Sequence, residues 1–155
     1  MHLNIQEPIF KEAQNSLYEI RGIIGEYIKA VKDNWLLKAP GNNPALLNMF
    51  ADRDTQPYKK YLPWSGEFAG KYLTGASMIF KLTNDEQLKS YIQKFVNRLV
   101  TLQDKDGYLG PYRKNDRLTG WDSVSNQCTW EEWNHGHIIM GLLSWYENTG
   151  DKNAL

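Results

Sequence analysis

One cysteine, no long apolar run and no excess charge of either sign: these scarcities exclude several classes at once. Cys128 has no second cysteine to pair with, so no internal disulfide framework exists; the residue reads as a small buried side chain. No stretch approaches the roughly 18 apolar residues that a bilayer span requires. The opening MHLNIQEPIF lacks the continuous apolar core of a signal peptide, which leaves a cytoplasmic protein or an exported one with its leader removed. Lys plus Arg and Asp plus Glu stand at 18 each, so no net field recruits nucleic acid or an anionic membrane. No period-2 run of strand type is visible.

Aromatic residues, by contrast, are plentiful. Six Trp, nine Tyr and five Phe make up 13% of 155 residues. Several stand beside Gly and Glu at the starts of segments, where a flat apolar face next to a polar group suits a sugar ring or a base.

Helix spacing runs through the rest. Leu17, Ile20, Ile24, Tyr27, Ile28 and Val31 predict a helix over 16–35. Asn43 is a plausible N-cap with Pro44 at the first helical position of a short helix through Phe50. Phe68, Tyr72, Ala76 and Phe80, widened by Leu73 and Ile79, predict a helix over 64–81. Leu88, Tyr91, Ile92, Phe95, Val96, Leu99 and Leu102 predict another. Thr83 with Glu86, and Thr129 with Glu132, have capping-box spacing. In LQDKDGYLG, Asp106-Gly107 makes a turn with Gly107 at positive φ, and Tyr108 folds back onto the helices. Gln103, Gly107 and Tyr108 also fit the Q-x-x-x-G-aromatic turn of isoprenoid-processing toroids, but the DDxxD-like run that chemistry needs is missing. Residues 111–127 are polar and irregular, too long for a simple connection, which marks a functional loop. A last helix runs from Thr129 to about Asn148.

A gap-free repeat emerges at a shift of 66 residues: Trp64 falls on Trp130, Gly70 on Gly136, Gly75 on Gly141, Phe80 on Tyr146, Thr83 on Thr149 and Asp85 on Asp151. The repeating object is a long helix, a turn and a second helix, and the paired glycines predict close helix approach at the same place in each unit. One hairpin cannot bury both its faces, so such units stack or close into a ring. The fold class expected is all-α: antiparallel helical hairpins in a single domain, 1–155. The chain stops after TGDKNAL where the repeat calls for another helix, the pattern of a truncated toroid. Exposed helix faces would then favour self-association.

The motifs WSGEFAGKYL, LQDKDGYLGPY and TWEEWNHGHIIMGLLSWYENTGD, in that order, resemble the N-terminal part of the glycoside hydrolase family 127 proteins over roughly residues 60–155. The family's helix start H-E-x-Y-x-x-G-H is matched by Glu131, Gly136 and His137. Trp133 is an aromatic substitute, and Trp130 stands in place of the first His. The resemblance implies an (α/α)6 toroid and β-L-arabinofuranosidase-type activity, with a cysteine nucleophile in a zinc-bound cysteine cluster and a glutamate acid/base. Those groups lie downstream of the matched motifs, so no residue here is expected to be catalytic and no cofactor is expected in this chain. Zinc belongs to the parent protein by resemblance alone. The expected partner is carbohydrate; a non-catalytic helical-repeat module binding sugar or a protein is the alternative.

Within the toroid reading, the starts of the helices at 64 and 130 face a common mouth. Trp64, Glu67, Trp130, Glu131, Asn134 and His137 are the substrate-binding candidates. Trp130, Asn134 and His137 recur at i, i+4 and i+7 and should share a face. His137 also has a packing alternative against Trp133. Glu131 could pair with His135 or bond a sugar hydroxyl, while Glu67 could simply favour a helix N-terminus. His135 and His137 are two apart on a helix and point to different sides, which disfavours a shared metal.

Overall fold

Every segment with helix-spaced apolar residues forms a helix. The structure, a computed structural model, describes residues 18–155; Leu17 and the residues before it lie outside that range. Helix α1 spans Gly22–Val31 and continues into a π-helical turn, Lys32–Leu36. Two short helices follow, α2 (Ala39–Asn42) and α3 (Ala45–Ala51). The long elements are α4 (Glu67–Thr83), α5 (Glu86–Val100) and α6 (Glu131–Thr149). One small ladder breaks the all-helical expectation: β1 (Trp121–Asp122) pairs antiparallel with β2 (Gln127–Cys128). Turn geometry makes it, not strand patterning. Asn126 adopts φ 58° and its N–H bonds to the Asp122 carbonyl at 2.8 Å.

Helices α4 and α5 form an antiparallel hairpin, with Tyr72 against Phe95 at 4.8 Å and Lys89 over Phe80 near the turn. Helix α6 lies on α4 and runs parallel to it. Its contacts ascend together: Trp133 bonds Glu67, and Asn148 donates to the Ser77 carbonyl at 3.1 Å. The core sits between these three helices. Tyr72, Leu73, Leu88, Ile92, Val96, Leu99, Ile138 and Trp145 are fully or almost fully enclosed, and burying each such side chain contributes about 1.5–3 kcal/mol.

The repeat is visible in three dimensions. Asn84 (φ 48°) and Gly150 (φ 73°), 66 positions apart, both end a long helix in the left-handed region. Asp85 then caps α5 by accepting from Leu88 N–H at 2.8 Å, and Asp151 accepts from Asn153 N–H at 3.0 Å to open a short 3₁₀ turn, Lys152–Ala154.

Four local expectations are corrected. The Thr83–Glu86 capping box does not form: Thr83 belongs to α4 and its hydroxyl donates to the Ile79 carbonyl, because Asp85, one residue before α5, is the better-placed acceptor. The Thr129–Glu132 box is likewise absent. Helix α6 starts after Trp130, whose side chain accepts nothing, and the Trp130 N–H is taken by the Tyr112 hydroxyl at 2.8 Å. Asn43 makes no side-chain cap; α3 begins at Ala45. Cys128 is exposed, since β2 lies at the surface. On α1, Ile24, Tyr27 and Val31 face outward while Ile28 is half-buried, so the predicted stripe exists but is only partly covered among the described residues.

The glycines pair differently from the sequence expectation. A Cβ on Gly70 would meet the His137 carbonyl carbon and oxygen at 2.2 Å, and one on Gly141 would meet the Gly70 oxygen at 2.7 Å. Gly75 and Gly136 have open space around them. The close approach thus joins Gly70 of α4 to Gly141 of α6, one from each repeat pair, because the two helices pack side by side instead of each meeting an identical neighbour.

Candidate functional site

The starts of α4 and α6 are held together by the irregular segment between α5 and α6. The turn after α5 closes as its residues dictate. Gly107 sits at φ 88°, and the Gln103 amide donates to the Gly107 carbonyl at 2.8 Å. Tyr108 does fold back. Its hydroxyl donates to Glu131 Oε1 at 3.1 Å and its ring meets His135 edge-on at 5.1 Å. The Arg117 guanidinium lies 3.9 Å from the Tyr108 ring centroid. Arg117 and Arg53 share the Asp104 carboxylate, while Arg53 also donates to the carbonyls of Leu102 and Gly110. Arg113, buried itself, clamps the next stretch by donating to Asp116, to Asp122 at 2.8 Å and to Ser123 at 2.8 Å. Sequence reading missed all three arginines as organisers, because each of their acidic partners is brought in by the folded loop and not by helix spacing.

Tyr112 completes the junction. Its buried hydroxyl donates to the Pro63 carbonyl just before α4 and accepts the Trp130 N–H just before α6. Burial pushes this phenol up to about 12, against the hydrogen bond from the Trp130 backbone.

The predicted site residues then separate into two groups. Trp64, Trp130 and His137 join a continuous aromatic row through Trp133: Trp64–Trp130 centroids are 6.1 Å apart, Trp130–Trp133 6.4 Å and Trp133–His137 4.8 Å, each edge-to-face. The three tryptophans are 37%, 45% and 50% exposed in chain order, so the row is an open surface and not core. Glu67 sits beneath it, accepting from Trp133 Nε1 and from Lys71 Nζ at 2.7 Å. Burial works to raise the Glu67 pKa, but the Lys71 and Trp133 hydrogen bonds and nearby His137 outweigh it and hold the carboxyl below its ordinary value.

Asn134 and Glu131 face inward. Asn134 is fully enclosed and its amide donates to the Pro63 carbonyl at 3.1 Å, so the predicted common face of Trp130, Asn134 and His137 does not form. Trp130 precedes the helix, which breaks the i, i+4, i+7 register. Glu131 is buried and engages both oxygens, with Tyr108 and with the Leu118 N–H at 2.5 Å. His135 contacts the Glu131 main-chain carbonyl at 2.8 Å, not its carboxylate. Trp133 is the member the sequence reading undervalued; its spacing of four from His137 was the available signal.

A cleft of about 660 Å³ opens beside the row, lined by Leu118, Gly120, Thr129, Trp130, Glu131, Glu132 and Trp133. Leu118 forms its lip. It is 89% exposed and held at φ 58°, a conformation that costs a leucine about 1–3 kcal/mol and that the bond to Glu131 maintains. Aromatic faces with adjoining polar groups can bind a sugar. Ordinary glycoside hydrolysis needs two carboxyl groups about 5–10 Å apart and free to react, whereas Glu67 and Glu131 have their oxygens occupied by protein donors. Among the described residues no group of three or more His, Cys, Asp or Glu could hold a metal ion, so the zinc cluster implied by the resemblance has no donor set among them. His135 and His137 stack on different partners, Tyr108 and Trp133.

Acid sensitivity follows from the carboxylates. Lys32 holds the Asp85 pKa down and Gln93 that of Asp151; burial opposes, yet Arg53 and Arg117 lower that of Asp104 and the donors named above lower that of Glu67. Each folded value lies below the unfolded one. Their stabilisation is therefore complete above the unfolded carboxylate range near pH ~4 and is lost as pH falls through the folded values. Urea midpoints are expected to drop steadily below about pH 4, and Glu67→Gln should make that drop shallower.

No helix among the described residues is long and apolar enough to cross a membrane. No curated protein and no solved structure matches the chain. The family model described as β-L-arabinofuranosidase, GH127 catalytic domain, matches residues 15–155. With the mostly helical fold and its hairpin repeat, that match makes the chain a member of the β-L-arabinofuranosidase-like glycoside hydrolase family 127, in its catalytic domain.

Proposed function

We propose that the row Trp64–Trp130–Trp133–His137 is a carbohydrate-binding surface of a glycosidase acting on arabinofuranosides or related plant-type glycans. The observation that carries this reading is the exposure of three adjoining tryptophans, two of which, Trp130 and Trp133, line a cleft, where packing alone would have buried them. Sugar C–H faces rest on the rings and hydroxyls bond to His137 and to the polar edge of the cleft. Glu67 orients Trp133 through its indole N–H, while Glu131 and Asn134 set the loop and the helix start behind the surface. The same reading makes residues 1–155 the N-terminal portion of a larger toroid, whose cysteine nucleophile and glutamate acid/base lie outside this chain.

Titration of the chain with L-arabinose and with a methyl arabinofuranoside tests it. Trp130→Ala and Trp133→Ala are each expected to weaken binding about tenfold, the equivalent of one ring contact of about 1.4 kcal/mol. His137→Ala should act in the same direction. Unchanged affinity in all three variants discards the assignment.

A second reading, a module that binds without catalysis, is favoured by the engaged oxygens of Glu67 and Glu131. Both readings expect sugar binding without turnover of an aryl arabinofuranoside by this chain, and turnover by the chain itself would overturn both.

A further inference from the structure

Leu118 stands against both of the forces that ordinarily place a leucine. Its side chain is almost fully exposed and its backbone holds φ 58°, a region that crowds any Cβ against the neighbouring main chain. Nothing in the loop needs that side chain. The segment is pinned by main-chain groups and by a neighbour. The Leu118 N–H donates to Glu131 Oε2 at 2.5 Å. The Thr119 hydroxyl donates to the Asp116 carbonyl at 2.7 Å and accepts the Trp121 N–H at 3.2 Å. The Thr129 N–H donates to the Gly120 carbonyl at 3.1 Å. An asparagine at 118 would keep every one of these bonds and adopt the same φ at lower cost. Gly120, at φ 77°, has nothing within 4 Å of where a Cβ would stand, so the chain beside the leucine is bare. Leu118 and Gly120 line the same cleft as Trp130 and Trp133.

Resting on the sugar-binding reading of that cleft, we propose that Leu118 is a specificity residue whose side chain covers an apolar aglycone, aryl or alkyl, of a glycoside seated on the tryptophan row. A sugar ring offers its C–H face to an aromatic wall and carries hydroxyls around its rim, so a lone aliphatic side chain gains little from it. An apolar substituent leaving the ring brings a continuous surface that Leu118 can remove from water. At the lip of the cleft, the leucine meets what projects from the sugar, and the open space at Gly120 leaves room for it. The bond to Glu131 fixes the lip beforehand, so the contact forms without the cost of ordering a loop.

Phenyl and methyl L-arabinofuranosides of the same anomeric form provide the test, titrated into the unaltered chain and into Leu118→Asn. The methyl glycoside reports the tryptophan row, and the ratio of phenyl to methyl affinity reports Leu118. The unaltered chain is expected to bind the phenyl glycoside about tenfold more tightly. In Leu118→Asn that ratio should collapse to near unity while the methyl affinity stays as it was. The urea midpoint of the same variant should rise, because the backbone strain is relieved and the exposed side chain took no part in packing. A ratio near unity in the unaltered chain, or one that survives in Leu118→Asn, overturns the proposal and leaves the sugar-binding reading standing. A lowered urea midpoint also overturns it, by making Leu118 a packing residue. A chain that binds neither glycoside overturns both.

Discussion

Gly70→Ala is expected to lower the unfolding free energy by about 3 kcal/mol, the upper part of the range for overpacking a tight contact. The added methyl would fall 2.2 Å from the carbonyl carbon and oxygen of His137. Backbone atoms in the middle of a helix cannot rotate aside, so the two helices must separate along their shared length. Gly141→Ala meets the Gly70 oxygen at 2.7 Å and the Leu73 Cβ at 2.8 Å and should cost a similar amount. Gly75→Ala and Gly136→Ala provide the contrast. Nothing lies within 4 Å of either position, so the gain in helix propensity stands unopposed and each variant should be more stable by about 0.5–1 kcal/mol. Urea unfolding of the four variants checks the pattern. Equal effects at all four positions would mean that α4 and α6 do not touch where the structure places them.

Arg113→Met is expected to be the most damaging change in the loop, at about 3 kcal/mol. Arg113, Asp116 and Asp122 are all buried, with side-chain exposures of 9%, 9% and 12%. Without the guanidinium, two carboxylates remain enclosed beside each other. They must take up protons or pull the loop open. The expected signs are faster proteolysis between 113 and 128 and weaker binding at the cleft, because Leu118, Gly120 and Thr129 belong to the same segment. The triple variant Arg113→Met, Asp116→Asn, Asp122→Asn should recover much of the loss, since the cost comes from stranded charge and not from the absent pair. A triple variant as unstable as the single one would instead assign the loss to the stacking of the Arg113 guanidinium over the Tyr58 ring, 4.6 Å from its centroid.

Long-range architecture was legible in this sequence because hairpin repeats write themselves twice. The shift of 66 marks the equivalence of α4 and α6, and the turn pair Asn84–Asp85 and Gly150–Asp151 carries it into the backbone. Helix ends were less legible. A capping box is one spacing among several that can satisfy a helix start, and at α5 Asp85 stands closer to the first free N–H groups than Thr83 does. At α6 a tyrosine from the loop takes the place of the cap, and no local pattern announces a donor or acceptor arriving from 18 residues away. The site was half readable for the same reason. Trp64, Glu67, Trp130 and His137 converge because their helices are repeat equivalents, whereas the inward turn of Glu131 and Asn134 depends on where Tyr108, Leu118 and Pro63 settle.

The hydroxyl of Tyr112 carries a kinetic consequence. One oxygen fastens the chain before α4 to the chain before α6, so Trp130, which lines the cleft, cannot swing independently of Pro63. On the proposed sugar-binding reading, a sugar meets a surface whose shape was set when the chain folded, and association becomes a single collision with no opening step to wait for. Mixing experiments that follow tryptophan fluorescence should then show one phase whose rate climbs in proportion to sugar concentration, without a plateau.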